Sequence, residues 1–251
     1  MGIDAKVLKE AQNIMLEMLI EFDAICNKYH LTYWLDSGTL LGAVRHQGFI
    51  PWDDDIDISM PLEDYEKFAE IASSEISENI FFQHTPSDKT FPFDYLKLRS
   101  NKAQIIEFHE EGQNISYHQG VFVDIFPMLT MQNNSFNKCY YKNAFKLIRL
   151  FSAKSLHLTF LRNLLVKSLE KMHQGWDKAE NKVIYSGKMP DVASLFDENK
   201  IFPLEKMLFE GKEFFVPKDA KHYLENIYSF DFMELPPEDK RVVHASQMRL
   251  N

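Results

Sequence analysis

The sequence predicts an α+β fold in which a helical insertion follows residue 130. Three observations predict it: a helical apolar pattern over residues 5–29, a strand-rich region over 80–126 and a helical region over 136–171. The chain has 251 residues, 45% of them hydrophobic and 26% charged, as is usual for a globular protein. The expected segments are a core over 1–130, an insertion over 131–200 and a C-terminal segment over 201–251 that packs back on the core.

The first third of the chain alternates helices with short strands. Apolar residues at three- and four-residue spacings indicate amphipathic helices, whereas short apolar or alternating runs indicate strands. Turn residues such as Ser37-Gly38 and Pro61 separate these runs. The predicted elements are a helix at 5–29, a strand at 33–35, a helix at 39–45, a strand at 55–59 and a helix at 62–78.

The rest of the chain is predicted as strands, then helices, then short mixed elements. Strands are expected at 80–82, 95–98, 105–108 and 121–126. Residues 136–171 hold eight of the 28 basic residues and one of the 37 acidic ones, which leaves 20 basic and 36 acidic residues elsewhere. This basic segment is either a solvated helical face or a surface that meets anionic lipid or a lipid-linked acceptor.

Composition and charge exclude several classes of protein. The formal net charge of −9 argues against a nucleic-acid-binding protein. The first residues contain no apolar signal segment, and no run approaches the ~20 apolar residues that span a bilayer. These features predict a cytoplasmic protein.

The densest chemical signal is the acidic run from Trp52 to Ile58. Strand alternation would place Asp53, Asp55 and Asp57 on one face, where clustered carboxylates need a cation such as a hard divalent ion. The alternative is a solvated acidic loop. An EF-hand loop is rejected, because Ile58 stands where that loop needs Gly and Asp64 where it needs Glu.

A better template is a strand with two acids separated by one apolar residue, preceded by a Gly-Thr turn that begins a helix. The amides of Gly38 and Thr39 could then bind phosphate oxygens, while Asp55 and Asp57 hold divalent ions that bridge those oxygens. Asp124 is the expected third carboxylate, because a lone acid in an apolar strand is costly to bury. Its alternative roles are an edge residue facing water or a partner of a nearby lysine.

These residues closely resemble the signature of the LicD family of phosphotransferases, within the nucleotidyltransferase superfamily. The motifs that carry the resemblance lie at 35–58, 121–127, 209–217 and 235–241. The match covers residues 30–130 and 205–245, although family members often have Tyr-Gly where this chain has Tyr228-Ser229. It implies a nucleotidyltransferase-like mixed β-sheet flanked by helices, with the catalytic core over 1–130. It also implies a magnesium-dependent transfer (one or two Mg²⁺ ions) from a CDP-linked donor to a sugar hydroxyl, with release of CMP.

The resemblance further implies CDP-choline as the donor, and as acceptor a lipid-linked or polymeric glycan precursor of teichoic acid or lipopolysaccharide at the cytoplasmic membrane face. CDP-ribitol and CDP-glycerol are alternative donors, and a non-catalytic metal- or nucleotide-binding module is a further alternative. Asp55 and Asp57 are the expected metal ligands, with Asp124 a third ligand or the base for the acceptor hydroxyl. Arg45 either clamps the donor phosphate or is a plain surface charge.

Overall fold

The computed structural model describes residues 3–93, 95–151, 159–176, 182–186, 195–228, 231–241 and 243–250. Its helices are α1 (Ala5–Tyr29), α2 (Ser37–His46), α3 (Leu62–Glu75), α4 (Ser135–Phe151), α5 (Thr159–Trp176), α6 (Glu198–Ile201) and α7 (Ala220–Tyr228). Its strands are β1 (Trp34–Leu35), β2 (Asp57–Pro61), β3 (Ile80–Gln83), β4 (Leu96–Glu107), β5 (Gly120–Gln132), β6 (Lys182–Ser186), β7 (Leu195–Asp197), β8 (Glu205–Phe209), β9 (Lys212–Val216) and β10 (Ala245–Leu250). The predicted α+β class is confirmed.

One mixed sheet organises the molecule, with strands in the order β1-β2-β5-β4-β10. Strand β2 runs parallel to β5, whereas β1 pairs antiparallel with β2, and β4 antiparallel with β5 and β10. Strand β5 is buried along nearly its whole length, since its sequence is almost continuously apolar. The central position of β5 brings the start of β2 and the middle of β5 side by side.

Helix α1 covers one side of the sheet. The carboxylate of Asp4 caps its first turn by accepting from the amides of Lys6 and Val7. Its buried face includes Met15, Leu19 and Phe22, which join the main hydrophobic cluster with residues of β2, β4 and β5. Helix α1 therefore packs against one face of the sheet and stabilises it.

A second apolar cluster lies under α4 and α5. Tyr141 and Phe145 of α4 and Leu169 of α5 pack against Leu129 and Tyr185. Strand β6 extends the sheet along the second half of β5, and β7 pairs with β6. The segment predicted as a helical insertion thus also supplies two strands, because Val183, Ile184 and Tyr185 form a buried run that completes the sheet.

Other elements differ from expectation in extent. The strands predicted at 95–98 and 105–108 are one continuous strand, β4, and β2 begins at Asp57 instead of Asp55. Lys154 of the basic segment and Ser229 of the Tyr228-Ser229 pair lie outside the described residues. Within the parts of the chain that are described, no helix combines the length and the apolar character needed to cross a membrane.

Candidate active site

A cavity of about 750 Å³ opens where β2 begins beside the middle of β5. The acidic run, the start of α2 and the sheet form part of its lining. A C-terminal wall is formed by Tyr228, Asp231, Phe232, Glu234, Leu235, Pro236, Pro237, Lys240 and His244. Ligand pockets in proteins typically measure ~300–1,000 Å³, so this cavity has room for a nucleotide-sized molecule.

The parallel pairing of β2 with β5 sets the position of two carboxylates. Asp57 and Asp124 are register partners on adjacent strands, and the amide of Asp124 donates to the carbonyl of Ile56 at 2.7 Å. Both side chains line the cavity. The expected juxtaposition of Asp124 with the acidic run is therefore present in the structure.

The acidic run alternates sides although most of it precedes β2. Asp53, Asp55 and Asp57 line the cavity, whereas Asp54 and Ile56 are completely buried. Helices α1 and α2 contribute to holding the run: Gln12 Nε2 donates to the carbonyl of Asp53 at 2.9 Å, and the Asp57 amide donates to Thr39 Oγ1 at 2.8 Å.

Burial and mutual repulsion make this cluster hard to ionise. Burial raises the pKa of Asp55 to about 6, despite the favourable charge of His244. The pKa values of Asp53 and Asp57 lie well above the ordinary range, first because of burial and then because of neighbouring carboxylates. A set of hard oxygen donors that resists ionisation without a cation fits a divalent ion such as Mg²⁺.

Lys97 is the cation that the structure places beside Asp124. Its Nζ lies 2.8 Å from Oδ1 and 3.0 Å from Oδ2, and its side chain is only 2% exposed. The same Nζ lies 3.4 Å from the ring centroid of Phe122. Burial raises the pKa of Asp124 above its ordinary value, and Lys97 opposes that shift. Arg99, two residues along β4, instead donates to Gln83 and to the carbonyl of Gly120.

His244 is a cavity residue that sequence reasoning missed. Its Nδ1 lies 3.2 Å from Oδ1 of Asp54 and 3.4 Å from Oδ2 of Asp55. These carboxylates raise the pKa of His244 to about 9, with the hydrogen bond to Asp54 as the largest cause. Its separation of almost 190 residues from the acidic run gives no spacing signal that could have found it.

The buried Asp54 joins the C-terminal segment to the acidic run. Its carboxylate accepts from the backbone amides of His244, at 3.0 and 3.2 Å, and Ala245, at 2.6 Å. Since Ala245 begins β10, this acid fixes the strand that brings His244 to the cavity. Asp54 therefore has a structural role distinct from that of the cavity-lining acids.

The start of α2 supplies the predicted Gly-Thr turn. Asp36 caps the helix by accepting from the Ser37 amide at 2.6 Å. Gly38 lines the cavity beside Asp53, where an added Cβ would lie 3.0 Å from Oδ2. Thr39 is only 2% exposed. The amides of Gly38 and Thr39 belong to the first turn, where the helix itself offers no acceptors.

Arg45 lines the cavity but also has a structural contact. Its guanidinium donates to the carbonyls of Phe232 at 3.0 Å and Glu234 at 3.3 Å, so it ties α2 to the C-terminal wall. This geometry differs from a plain surface charge.

Trp34, Trp52 and Tyr117 lie near the motifs in the sequence but have different surroundings in the structure. Trp34 is fully buried, and its Nε1 donates to the Tyr223 hydroxyl at 3.2 Å. Trp52 lines the cavity, and the guanidinium of Arg241 stacks over its ring, 4.4 Å from the ring centroid. The hydroxyl of Tyr117 donates to Glu110 at 2.6 Å.

Comparisons with known proteins identify the family that this chain resembles. The family model described as "LicD/FKTN/FKRP, nucleotidyltransferase domain" matches residues 30–162. The chain is 27% identical over 266 residues to the lipopolysaccharide cholinephosphotransferase LicD of Haemophilus influenzae, covering 96% of each chain. It is 31% identical over 71 residues to human ribitol 5-phosphate transferase FKRP, a match that covers 28% of this chain and 14% of that protein. An uncharacterized Rickettsia prowazekii protein is 28% identical over 172 residues, covering 61% of this chain and 64% of that protein.

Proposed function

The chain belongs to the LicD family of phosphotransferases, and on that premise we propose that it transfers phosphocholine from CDP-choline to a sugar hydroxyl of a cell-surface glycan precursor. One observation carries the proposal: Asp55, Asp57 and Asp124 meet beside the first turn of α2 in a single cavity. The near full-length similarity to a lipopolysaccharide cholinephosphotransferase supports phosphocholine as the transferred group. Lipopolysaccharide or teichoic acid precursors are the proposed acceptors, and we assign the mixed sheet to the nucleotidyltransferase-like class.

The donor diphosphate would bind between two features of the cavity. The first-turn amides of Gly38 and Thr39 would donate to its oxygens, as helix N-termini do for anions. Arg45, near the end of α2, would add positive charge to the cavity. Asp55, Asp57 and Asp124 would hold one or two Mg²⁺ ions, which when bound supply neutralisation of the developing phosphoryl charge.

The transfer itself exchanges one P–O bond for another. The acceptor hydroxyl oxygen attacks the choline-bearing phosphorus, the bond from that phosphorus to the bridging oxygen breaks, and CMP leaves with the electron pair. The hydroxyl proton passes to a carboxylate. Asp124 would be either that base or the third ligand, and Lys97 holds it in place in either role.

His244 would act as a positioning residue in this scheme. Its Nδ1 contacts Asp54 and Asp55, which fixes the direction of the Asp55 carboxylate. The imidazole is about half exposed and lines the cavity, so its Nε2 is left to meet the bound donor or acceptor.

A different donor could bind at the same site and transfer a different phosphate-linked group. The local similarity to human ribitol 5-phosphate transferase favours CDP-ribitol as the alternative, and CDP-glycerol has the same diphosphate chemistry. The carboxylates bind phosphate oxygens in each case, so they do not distinguish these donors. An acceptor assembled on a lipid carrier would place the enzyme at the cytoplasmic face of a membrane.

A thermal-shift titration tests the donor and the site together. Wild type and Asp57→Asn would be measured with Mg²⁺ and CDP-choline, CDP-ribitol, CDP-glycerol or CTP. A ligand at ~100 times its dissociation constant adds ~2.7 kcal/mol to the stability of the folded state. We expect a shift with CDP-choline in the wild type that is absent from Asp57→Asn.

A larger shift with another donor would mean that a group other than phosphocholine is transferred, and it would leave the assignment of the site unchanged. The same samples would then be assayed for CMP release with candidate glycan acceptors. Donor binding without CMP release from any acceptor would contradict the transferase proposal in favour of a nucleotide-binding module.

A further inference from the structure

Helices α4 and α5 expose an unusual number of large apolar side chains. Their exposed fractions range from 40% to 78%, and they belong to Phe136, Leu147, Leu150, Phe160, Leu161 and Leu164. Scattered apolar residues are normal on protein surfaces, but a concentration on one pair of helices marks a surface with a partner.

In α5, basic residues share the exposed side with the apolar ones. Phe160, Leu164, Lys167 and Lys171 are all exposed and recur at helical spacing, so they form one stripe along α5. The opposite side carries the fully buried Leu169. An apolar stripe flanked by lysines is typical of helices that lie at a membrane interface.

Helix α4 repeats this arrangement. Lys142, Lys146, Leu147 and Leu150 are exposed, while Tyr141, Ala144, Phe145 and Ile148 are buried. The buried sides of both helices contact the same apolar cluster. Both exposed stripes therefore face away from the body of the protein.

The charge pattern indicates what kind of surface covers these stripes. Residues 125–169 contain no Asp or Glu, although the whole chain has a formal net charge of −9. An anionic surface would repel the rest of the molecule and attract α4 and α5, so it would also orient the protein. A second copy of the chain is a poorer partner, because a two-fold contact would place one basic stripe against the other.

We propose that α4 and α5 form a docking surface for an anionic lipid bilayer. The helices would lie in the interface with their Phe and Leu side chains among the lipid headgroups. The inference rests on the proposed function in one respect: docking on a membrane would give the enzyme access to an acceptor on a lipid carrier. Binding to lipid is measured without donor or acceptor, so its failure is distinguishable from failure of the proposed function.

Vesicle flotation of the purified 251-residue chain tests the proposal. Vesicles would contain phosphatidylcholine alone or an equimolar mixture with phosphatidylglycerol. Lys167→Gln/Lys171→Gln removes two charges from the α5 stripe, and Lys212→Gln/Lys218→Gln removes two exposed charges elsewhere. We expect binding to the anionic vesicles only, weakened roughly 30-fold by the first pair of substitutions and little changed by the control pair.

The contribution of the apolar side chains to vesicle binding is tested by a second pair of variants. Leu164→Ser should weaken binding to the anionic vesicles several-fold, whereas Leu208→Ser, on exposed β8, should leave it unchanged. Circular dichroism would verify that each variant is folded. The proposal is overturned if wild type shows no preference for anionic vesicles, or if stripe and control variants float alike. It is also overturned if sedimentation shows a dimer that the stripe variants dissociate while vesicle binding stays intact.

Discussion

Lys97 and Asp124 form a buried ion pair inside the candidate site, with the lysine Nζ 2.8 Å and 3.0 Å from the two carboxylate oxygens. Asp124 is also the register partner of Asp57 on the adjacent parallel strand. The pair therefore places one fixed positive charge at the edge of an acidic cluster. The charge of Lys97 opposes the rise that burial causes in the pKa of Asp124.

This pair leads to a prediction about stability. Lys97→Met should lower the free energy of unfolding by about 3 kcal/mol, because it leaves a buried carboxylate unpaired. Lys97→Met/Asp124→Asn should recover most of that loss, since both charges are gone. Urea denaturation in EDTA would measure each variant. Lys102→Met is the control, because its pair with Glu17 is exposed and should contribute under ~1 kcal/mol. A loss at Lys97 no larger than that at Lys102 would contradict the prediction.

A second prediction concerns Asp57. The variant Asp57→Asn should lose transferase activity by at least about 1,000-fold, because a lost ligand costs several kcal/mol of transition-state stabilisation. In EDTA it should melt at a higher temperature than wild type, since one member of a repelling cluster is neutralised. Activity assays and thermal melts check both outcomes. Glu66→Gln, an exposed acid on α3, should change neither. Near-normal turnover in Asp57→Asn would contradict the assignment of Asp57 as a metal ligand.

The parts of the fold that local pattern determines were predictable from sequence. Helix α1 follows from apolar spacing, and α2 from the helical pattern over 39–45, although Ser37 and Gly38, predicted as a turn, are its first residues. The adjacency of Asp57 and Asp124 was inferred because a lone acid in the apolar β5 needs a partner. These inferences need only residues close in sequence, or one strongly unfavourable burial.

What the sequence did not predict depends on long-range pairing. Strand β6 has only five residues, so its place in the sheet depends on its pairing with β5 and β7 and not on a local pattern. His244 enters the cavity because Asp54 accepts from the first amides of β10. Nothing in the local sequence of either residue indicates this contact. Arg45 is similar, since its carbonyl acceptors are almost 190 residues away.

The third prediction uses the pH dependence of stability. Burial raises the pKa of Asp55 from its ordinary value of 3.8 to about 6. A raised pKa means that the folded protein binds this proton more tightly than the unfolded chain does. The resulting stabilisation is complete in acid and is lost as the pH rises through about 6. Metal-free wild type should therefore lose stability relative to Asp55→Asn between about pH 4 and about pH 6.

Thermal melts of both proteins in EDTA across that range would test the pH prediction. Comparison with the Asn variant cancels the contribution of carboxyl groups distant from Asp55. Asp53 and Asp57, whose pKa values Asp55 raises, add to the difference in the same direction. A constant difference in melting temperature would contradict the raised pKa. Saturating Mg²⁺ should reduce the wild-type loss, because ion binding favours the ionised carboxylate.

The last prediction separates the structural from the functional part of the link between Asp54 and His244. Asp54→Ala should destabilise the protein by about 3 kcal/mol or more, because the buried amide of Ala245 and the part-buried amide of His244 lose a charged acceptor. His244→Ala keeps its own backbone amide but removes the charge that faces Asp54 and Asp55, so it should cost about 1–2 kcal/mol, less than Asp54→Ala. It should nevertheless lower kcat by about 10-fold to 100-fold, since Asp55 loses the group that orients it. Urea denaturation and CMP-release kinetics measure the two effects on the same samples. His222→Ala, whose imidazole lies on α7 outside the cavity lining, controls for loss of a histidine. Equal loss of stability in Asp54→Ala and His244→Ala would show that the imidazole, and not the backbone, holds β10 in place.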